Sequence, residues 1–172
     1  TVLATEVAES MWEWMPVIST GTSYDAYVDY CLEAMKTDQF YPFVVMRKSD
    51  NAFAGLAAFE RVSRTHRRLG IGFIWHPEDM RGTVIAPATQ LIMLERALAA
   101  RFQRISYQIP EDNVRAIRSI EKMGARREGL VRNYMRVANG NWADVVVLSL
   151  VGKEICGAIS ILQDRVRQMQ LA

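Results

Sequence analysis

Residues 75–86 combine residue types that could hold a phosphate group. The pattern predicts that a strand ends at Trp75, that a short turn containing Gly82 follows, and that a helix begins near Val84. Backbone N–H groups in such a turn point outward, and the helix N-terminus adds a partial positive charge. The same pattern is typical of an ordinary strand-to-helix connection, so both interpretations stay open on this stretch alone.

Other kinds of site are excluded by what the sequence lacks. No Walker lysine follows the glycine of the turn, and no G-x-G-x-x-G is present, which excludes the P-loop and the Rossmann dinucleotide site. His66 and His76 are the two histidines, and no His/Cys cluster has the spacing of metal ligands. No Ser-His-Asp arrangement can be assembled. We therefore expect neither a metal site nor a hydrolase triad.

The composition is that of an ordinary soluble globular domain. Of 172 residues, 50% are hydrophobic and 23% are charged, and 21 Lys and Arg against 19 Asp and Glu leave a net charge of +2. These values exclude a disordered chain and do not favour nucleic acid as a partner. The sequence contains neither a membrane-spanning apolar run nor a signal-peptide pattern. Cys31 and Cys156 lie in apolar helical patterns, so we expect reduced core thiols in a cytoplasmic protein.

Hydrophobic periodicity predicts the element order ααβββαβαββα. Predicted helices cover residues 7–14, 84–100 and 155–169, one follows Ser23, and one runs from Asp112 or Asn113 to Gly124. Predicted strands cover residues 43–46, 53–62, 69–75, 105–109, 130–137 and 145–150. This order indicates a mixed sheet with helices on its faces, in the α/β or α+β class. No linker divides the chain, so we expect one domain over residues 1–172; its start at Thr1 rather than Met indicates a processed or trimmed chain.

A second segment resembles a known family. Residues 110–116 read Pro-Glu-Asp-Asn-Val-Arg-Ala, and residues 121–132 read Glu-Lys-Met-Gly-Ala-Arg-Arg-Glu-Gly-Leu-Val-Arg. This block resembles the Asn-helix-Leu-Gly-Phe-x-x-Glu-Gly block of GCN5-related N-acetyltransferases (GNAT), in the branch that includes ribosomal-protein N-terminal acetyltransferases. The likeness continues through the hairpin at residues 139–150 and begins upstream at residues 12–16. It implies a GNAT-like mixed, mostly antiparallel sheet with splayed central strands and helices on both faces.

The resemblance implies a site for acetyl-CoA where two central strands separate. The pantetheine arm pairs with the first of these strands in the family, which places it beside Phe73, Ile74 and Trp75. Asn113 matches the family asparagine that hydrogen-bonds this arm, and Arg115 either reaches a phosphate or is a solvated helix residue. The family pyrophosphate turn corresponds to Met80, Arg81, Gly82, Thr83, Val84 and Ile85. The chain departs from the family pattern at the first, fourth and sixth of these positions.

Acetyl transfer to an amine needs a donor to the thioester carbonyl, a base for the amine and an acid for the departing thiolate. A strand N–H of Phe73 or Ile74 can hold the carbonyl. Many relatives place a glutamate base where this chain has Gly70, and an acid where it has Ala116 or Ile120. The residues that usually act as base and acid are therefore replaced, and other side chains must take these roles.

Glu60 and Tyr134 are the candidate catalytic residues. Glu60 lies among apolar residues on a neighbouring strand, so it either lines the cleft as a base with a raised pKa or is a charge at the sheet edge. Tyr134 is an acid, an acceptor contact or a core tyrosine. Trp12 and Trp14 are candidate acceptor-site residues by family analogy, although one of two tryptophans at helical spacing is also typical of the core. His76, immediately before the turn, is a candidate substrate-binding residue or a structural histidine.

The sequence therefore predicts an acetyl-CoA-dependent N-acetyltransferase that transfers the acetyl group directly to a primary amine in a ternary complex. The acceptor is a protein N-terminus or a small amine such as a polyamine, an amino acid or an antibiotic. One alternative is a GNAT-fold module that binds acyl-CoA with little or no transfer. Another is that the basic stretch at residues 61–68 binds an anionic partner such as RNA. A late exposed strand or the terminal helix is expected to support a homodimer.

Overall fold

The computed structural model describes residues 11–12, 15–16, 18, 23–137 and 140–171. In chain order its elements are α1 (Tyr24–Met35), β1 (Tyr41–Arg47), β2 (Ala52–Ser63), β3 (Arg68–Trp75), a 3₁₀ turn (Glu78–Met80), α2 (Ile85–Ala99), β4 (Arg104–Pro110), α3 (Val114–Glu121), β5 (Arg126–Arg136), β6 (Trp142–Val151) and α4 (Lys153–Leu171). The predicted order is confirmed from the second helix onward. Most of the first predicted helix lies outside the described residues, which include Met11 and Trp12 in a helical conformation.

Short polar side chains begin two of the helices. The Ser23 hydroxyl accepts a hydrogen bond from the Ala26 N–H at 3.1 Å and caps α1. Of the two predicted caps of α3, Asn113 is the one used, because its Oδ1 accepts from the Ala116 N–H at 3.2 Å. Gly124, at φ +98°, follows the turn that ends this helix.

The sheet has six strands in the order β1-β2-β3-β4-β6-β5. Neighbouring strands are antiparallel except β3 and β4, which are parallel. The β3–β4 pairing covers only Arg68–Arg104, Leu69–Ile105 and Gly70–Ser106, so the two central strands separate beyond Gly70. The expected mixed, mostly antiparallel sheet with splayed central strands is confirmed.

A bulge in β3 lies next to this separation. Between the pairs Ala58–Gly72 and Leu56–Trp75, β2 advances two residues while β3 advances three. The extra residue lies at Phe73, whose backbone has φ +53°. The bulge interrupts the β2–β3 ladder on the same stretch where β4 no longer pairs, so this part of β3 borders an open gap.

Two hydrophobic clusters cover opposite faces of the sheet. Ala57 belongs to one cluster and its neighbours Leu56 and Ala58 belong to the other, because successive side chains of a strand alternate between faces. The larger cluster packs α2, α3 and α4 against the sheet, and the smaller one includes Met11, Trp12 and residues of α1. The helices therefore lie on both faces, as expected.

The two cysteines differ in exposure. Both are free, but Cys31 is buried and Cys156 is exposed. The expectation of two core thiols is wrong for Cys156. The buried residues Ile155 and Ala158 lie on the face of α4 that packs on the sheet, and Cys156, the residue after Ile155, lies outside that face. Among the described residues, no helix is long and apolar enough to cross a membrane.

Gly55 lies next to the end of β3, and its backbone has φ +144°. A Cβ at this position would overlap the Trp75 carbonyl oxygen and lie 2.5 Å from His76 Nδ1. We expect Gly55→Ala to lower the free energy of unfolding by about 2–4 kcal/mol, through steric overlap and backbone strain. Urea unfolding measures the change. Gly157→Ala in α4 is the control, because nothing lies within 4 Å of its added Cβ. Equal loss in both variants would contradict the prediction.

Candidate active site

Two cavities meet at the gap between the central strands. The first, here the long cleft, has a volume of about 720 Å³ and is lined by β3, residues 81–83, α2, β4, α3 and part of α4. The second, here the side cavity, has a volume of about 650 Å³ and is lined mainly by α1, Phe40 and β5. Both are lined by Pro16, Glu60, Arg61, Phe73, Gln108 and Met135. These shared residues form the junction through which a group could pass from one cavity to the other.

Glu60 reaches the junction because two glycines leave room for it. A Cβ on Gly72 would lie 2.7 Å from Glu60 Oε1, and a Cβ on Gly70 would overlap the Arg61 guanidinium. The Glu60 side chain is 14% exposed, and Oε1 lies 2.6 Å from Arg61 Nη1. Oε2 has no hydrogen-bond partner among the described residues. Glu60 therefore lies inside the cleft, and the alternative of a charge at the sheet edge does not match its position.

Burial controls the protonation of Glu60. Loss of water around the carboxyl raises its pKa, and the Arg61 charge opposes this rise. The pKa of Tyr30 is also raised, first by burial and then by the negative charge of Glu60. A carboxylate with a raised pKa and an unpaired oxygen is suited to accept a proton from a bound group.

The bulge in β3 provides backbone groups at the same junction. Phe73 and Ile74 have no partner residues in the β2 register, and the pairing with β4 ends before them, at Gly70. Both residues line the long cleft. A backbone N–H that points into the cleft rather than across the ladder can hold a carbonyl oxygen in an oxyanion-hole arrangement. Trp75, the next predicted cofactor contact, also lines the cleft, but it is largely buried in the smaller hydrophobic cluster.

The turn after β3 places three of its six predicted residues in the long cleft. Arg81, Gly82 and Thr83 line the cleft, whereas Met80 is buried and Val84 and Ile85 are not among the lining residues. Gly82 has φ +75°, and nothing lies within 4 Å of the position of a Cβ there. The turn is therefore open toward the cleft at its glycine.

Thr83 takes part in the turn through its hydroxyl group. The hydroxyl donates to the Met80 carbonyl at 2.7 Å and accepts from the Ile85 N–H at 3.3 Å. Arg81 is held by a hydrogen bond of 3.1 Å from its Nε to the His76 carbonyl. These bonds order the turn although Met80, Thr83 and Ile85 depart from the family pattern.

His76 is buried at the edge of the long cleft. It is 8% exposed, and its Nδ1 lies 2.7 Å from the Ala54 carbonyl, so Nδ1 carries the proton that is donated there. Burial lowers the pKa of His76 and favours the neutral ring. His76 lines the long cleft and is not among the residues of the side cavity. A contact between His76 and the acceptor stays a prediction.

The other candidate acceptor residues lie in different parts of the fold. Trp12 is 7% exposed, packs in the smaller hydrophobic cluster and is not among the residues that line either cavity. Its position matches the alternative of a core tryptophan. Trp14 lies outside the described residues. Tyr134, on β5, is 42% exposed and lines the side cavity.

A partly exposed ion pair links β5, the strand that carries Tyr134, to the neighbouring strands. Glu128 Oε1 accepts from Arg104 Nη1 at 2.7 Å and from the Ser149 hydroxyl at 2.6 Å. These two hydrogen bonds lower the pKa of Glu128 to about 2. The glutamate of the family-like block thus links β5 to β4 and β6, which is a structural role.

The family assignment rests on a match over most of the chain. A family model described as an acetyltransferase (GNAT) domain matches residues 3–126. The chain belongs to the GNAT acetyltransferase family. This match confirms the resemblance that residues 110–132 carry. It also agrees with the sheet, whose central strands separate at the site where GNAT proteins are expected to hold acetyl-CoA.

Named relatives and solved structures share this GNAT fold. The chain is 29% identical over 107 residues to YoaA of Bacillus subtilis (strain 168), named as an uncharacterized N-acetyltransferase; the match covers 62% of this chain and 60% of YoaA. The chain thus spans less than two thirds of the length of that relative.

Three solved structures extend the comparison. Mycobacterium smegmatis RimJ in complex with CoA-disulfide has a TM-score of 0.77 at 22% identity, covering 92% of this chain and 78% of that one. The ribosomal-protein-S5-alanine acetyltransferase of Vibrio fischeri has a TM-score of 0.70 at 18% identity, covering 86% and 82%. The spermidine N-acetyltransferase of Vibrio cholerae, in complex with CoA and spermine, has a TM-score of 0.67 at 18% identity, covering 78% of each chain. At these identities the likeness establishes the GNAT fold.

The long cleft of this GNAT chain also has cationic residues that sequence reasoning missed. Asn113 and Arg115 line it as expected, and Arg118, Lys122 and Arg165 line it as well. Residues 115, 118 and 122 are spaced by three and four, which places them on one face of α3 and its following turn. This spacing is visible in the sequence and indicates a basic helix face. Arg165 comes from α4, and only the packing of α4 brings it to the cleft.

Proposed function

We propose that this chain is an acetyl-CoA-dependent N-acetyltransferase that transfers the acetyl group directly to a primary amine in a ternary complex. The observation that carries the proposal is the junction of the two cavities at Glu60 and the Phe73 bulge. Direct transfer needs a donor site and an acceptor site that open onto one point, with a base and an oxyanion donor there. The long cleft serves as the donor site and the side cavity as the acceptor site.

The lining of the long cleft supports its use by acetyl-CoA. Its open glycine turn and the cationic side chains of Arg81, Arg115, Arg118 and Lys122 suit phosphate groups, and the Phe73 bulge borders the part nearest the junction. Asn113 uses Oδ1 to cap α3, which leaves its Nδ2 group as the donor for a pantetheine carbonyl. The CoA complexes of RimJ and of the Vibrio cholerae enzyme support the same assignment.

The residues at the junction divide the chemistry among them. Acetyl-CoA would supply a thioester whose carbonyl carbon is attacked by the amine nitrogen, so that a C–N bond forms and the C–S bond breaks. Glu60 Oε2 takes the proton that the amine loses. The N–H of Phe73 or Ile74 donates to the carbonyl oxygen as negative charge develops on it. Tyr134 lines only the side cavity of the two, so we assign it to acceptor contact, and the thiolate takes its proton from solvent.

Location and assembly are further parts of the proposal. Both cysteines are free, which supports a reducing, cytoplasmic location. β5 is an edge strand and is exposed along nearly its whole length, which supports the expected homodimer through this edge. We treat residues 1–172 as one domain because β5, β6 and the preceding strands share one sheet.

Thermal unfolding with and without acetyl-CoA tests the donor site. A ligand at about a hundred times its dissociation constant adds roughly 2.7 kcal/mol, which raises Tm by about 5–10 °C for a domain of this size. We expect such a shift with acetyl-CoA and with CoA, and release of free thiol when a primary amine is added to acetyl-CoA. A shift without thiol release across an amine panel would support the acyl-CoA-binding module instead. Absence of any shift at millimolar acetyl-CoA would overturn the proposal.

A further inference from the structure

The side cavity has an aromatic wall. The rings of Tyr30 and Phe73 are stacked with centroids 5.8 Å apart and an interplanar angle of 27°. Phe40 packs edge-on against both rings, at 5.5 Å from Tyr30 and 5.2 Å from Phe73. All three residues line the cavity. Phe40 is buried behind the wall, so the partly buried rings of Tyr30 and Phe73 are the ones that can contact a flat apolar ligand.

Both carboxylates that line the side cavity in the described part of the chain form an ion pair with a nearby cation. Among its lining residues in the described part of the chain, the carboxylates are Glu33 and Glu60. Glu33 pairs with Lys36 at 2.6 Å, and Glu60 pairs with Arg61 at 2.6 Å. A polyamine carries further ammonium groups besides the one that reacts, and each of these needs an acceptor when it leaves water. Glu33 is 68% exposed, so the described lining offers no buried carboxylate besides Glu60 to them.

The aromatic wall adjoins the proposed base. The ring of Phe73 belongs to the wall, and its bulged backbone lies at the junction. Glu60 lines the same junction and the same cavity. Glu60 and Tyr30 both line the side cavity. An amine nitrogen held at Glu60 would therefore place the rest of its molecule against the rings.

We infer that the acceptor is a monoamine whose amino group is carried on an aromatic body. This inference rests on the proposed acetyl transfer and specifies the acceptor class at the same site. The amino group points to Glu60, and the ring of the acceptor packs against Tyr30 and Phe73. A flat ring can stack on the aromatic wall, whereas a linear polyamine and a peptide N-terminus with a small first side chain cannot. The wall therefore favours the aromatic amine over both of these.

A panel of amines tests the acceptor class. Thiol release from acetyl-CoA is followed with phenethylamine, n-butylamine, spermidine and an alanine-first tripeptide. We expect kcat/KM for phenethylamine to exceed each of the others by about tenfold or more, which is in the range that pocket contacts supply. A higher kcat/KM for spermidine, the tripeptide or n-butylamine would overturn the inference while leaving the acetyltransferase proposal intact.

A new charge in the side cavity tests the same inference, and the same charge outside the cavity is its control. Ala34 lines the cavity, whereas Leu32, on the same helix, is 57% exposed and is not among the lining residues. We expect Ala34→Glu to lower kcat/KM for phenethylamine about tenfold and to narrow its ratio to spermidine, and Leu32→Glu to change neither. Equal effects of the two variants, or an unchanged ratio in Ala34→Glu, would overturn the inference. An unchanged Tm shift with CoA shows that each variant is folded.

A binding measurement separates failure of the inference from failure of the proposed function. The Tm of the CoA-loaded protein is measured with phenethylamine and with spermidine. If no amine is acetylated but phenethylamine alone raises Tm, the ligand class of the side cavity stands and the transfer reaction is overturned. If no amine is acetylated and phenethylamine has no effect on Tm, both are overturned.

Discussion

Replacing Glu60 with glutamine is expected to lower kcat for acetyl transfer by about a hundredfold or more, since general-base catalysis contributes factors of this size. Glutamine keeps the size of the side chain and its place over Gly72, but it cannot accept the proton of the amine. The Tm shift with acetyl-CoA should be unchanged, because Glu60 lies at the junction rather than among the cations of the long cleft. Steady-state kinetics with thiol detection, together with thermal unfolding, measures both quantities.

The same residue predicts a pH dependence. Glu60 acts as a base only when it is deprotonated, so kcat/KM should rise as pH increases through its pKa. Because burial raises that pKa, this rise should occur at higher pH than for an ordinary glutamate. The rise should disappear in Glu60→Gln. A profile that is identical in the wild type and the variant would show that another group accepts the proton.

Glu33→Gln is the matched control for Glu60→Gln. Glu33 lines the same side cavity, but its carboxylate is exposed and pairs with Lys36. We expect this variant to retain kcat within about twofold, since a surface ion pair contributes little. Similar losses in the two variants would mean that the charge of the cavity, rather than proton transfer, is responsible. Glu60→Gln with more than half of the wild-type kcat would contradict the assignment of the base.

The second large effect is expected from reversing two charges of the long cleft. In Arg118→Glu/Lys122→Glu, two cations that line the cleft become anions. We expect the Kd for acetyl-CoA to rise about a hundredfold, which is about 2.7 kcal/mol, because the ligand's phosphates then meet repulsion instead of attraction. KM for acetyl-CoA should rise with Kd, and kcat at saturation should change little. Isothermal titration calorimetry at two salt concentrations measures the affinity and its electrostatic part.

A second double reversal separates a local effect from the net charge of the protein. Arg127 and Arg132 are exposed on β5 and are not among the residues that line the long cleft. Arg127→Glu/Arg132→Glu changes the total charge by the same amount, and we expect it to alter the Kd by less than about threefold. If both double variants weaken binding equally, the cations of α3 have no direct role. If neither weakens it, the phosphates bind elsewhere.

The basic stretch at residues 61–68 has partners within the chain. Arg61 pairs with Glu60 at the junction, and Arg64 donates to the Tyr41 hydroxyl at 2.9 Å and lies 3.7 Å from Asp38. Arg61 therefore belongs to the site, whereas Arg64 makes exposed contacts on the surface.

The order of the elements and the family followed from the sequence by itself. Apolar periodicity, the Ser23 and Asn113 caps and the Gly82 turn act within a few residues, so each can be recognised from local spacing. The resemblance of residues 110–132 to the GNAT family could be recognised for the same reason, because the residues of this block are close in sequence. These local patterns also led to Asn113, Arg81, Gly82 and Thr83, which line the long cleft.

Only the tertiary structure decided which side chains meet. The sequence showed Gly70 in place of the usual base, but the β2–β3 register showed that Gly70 and Gly72 leave the space that Arg61 and Glu60 occupy. The packing of α4 brought Arg165 to the long cleft, and core packing placed Trp12 away from both cavities. These outcomes depend on strand register, on the bulge at Phe73 and on contacts between distant segments. No local spacing encodes such contacts, because their free energy comes from groups that are far apart along the chain.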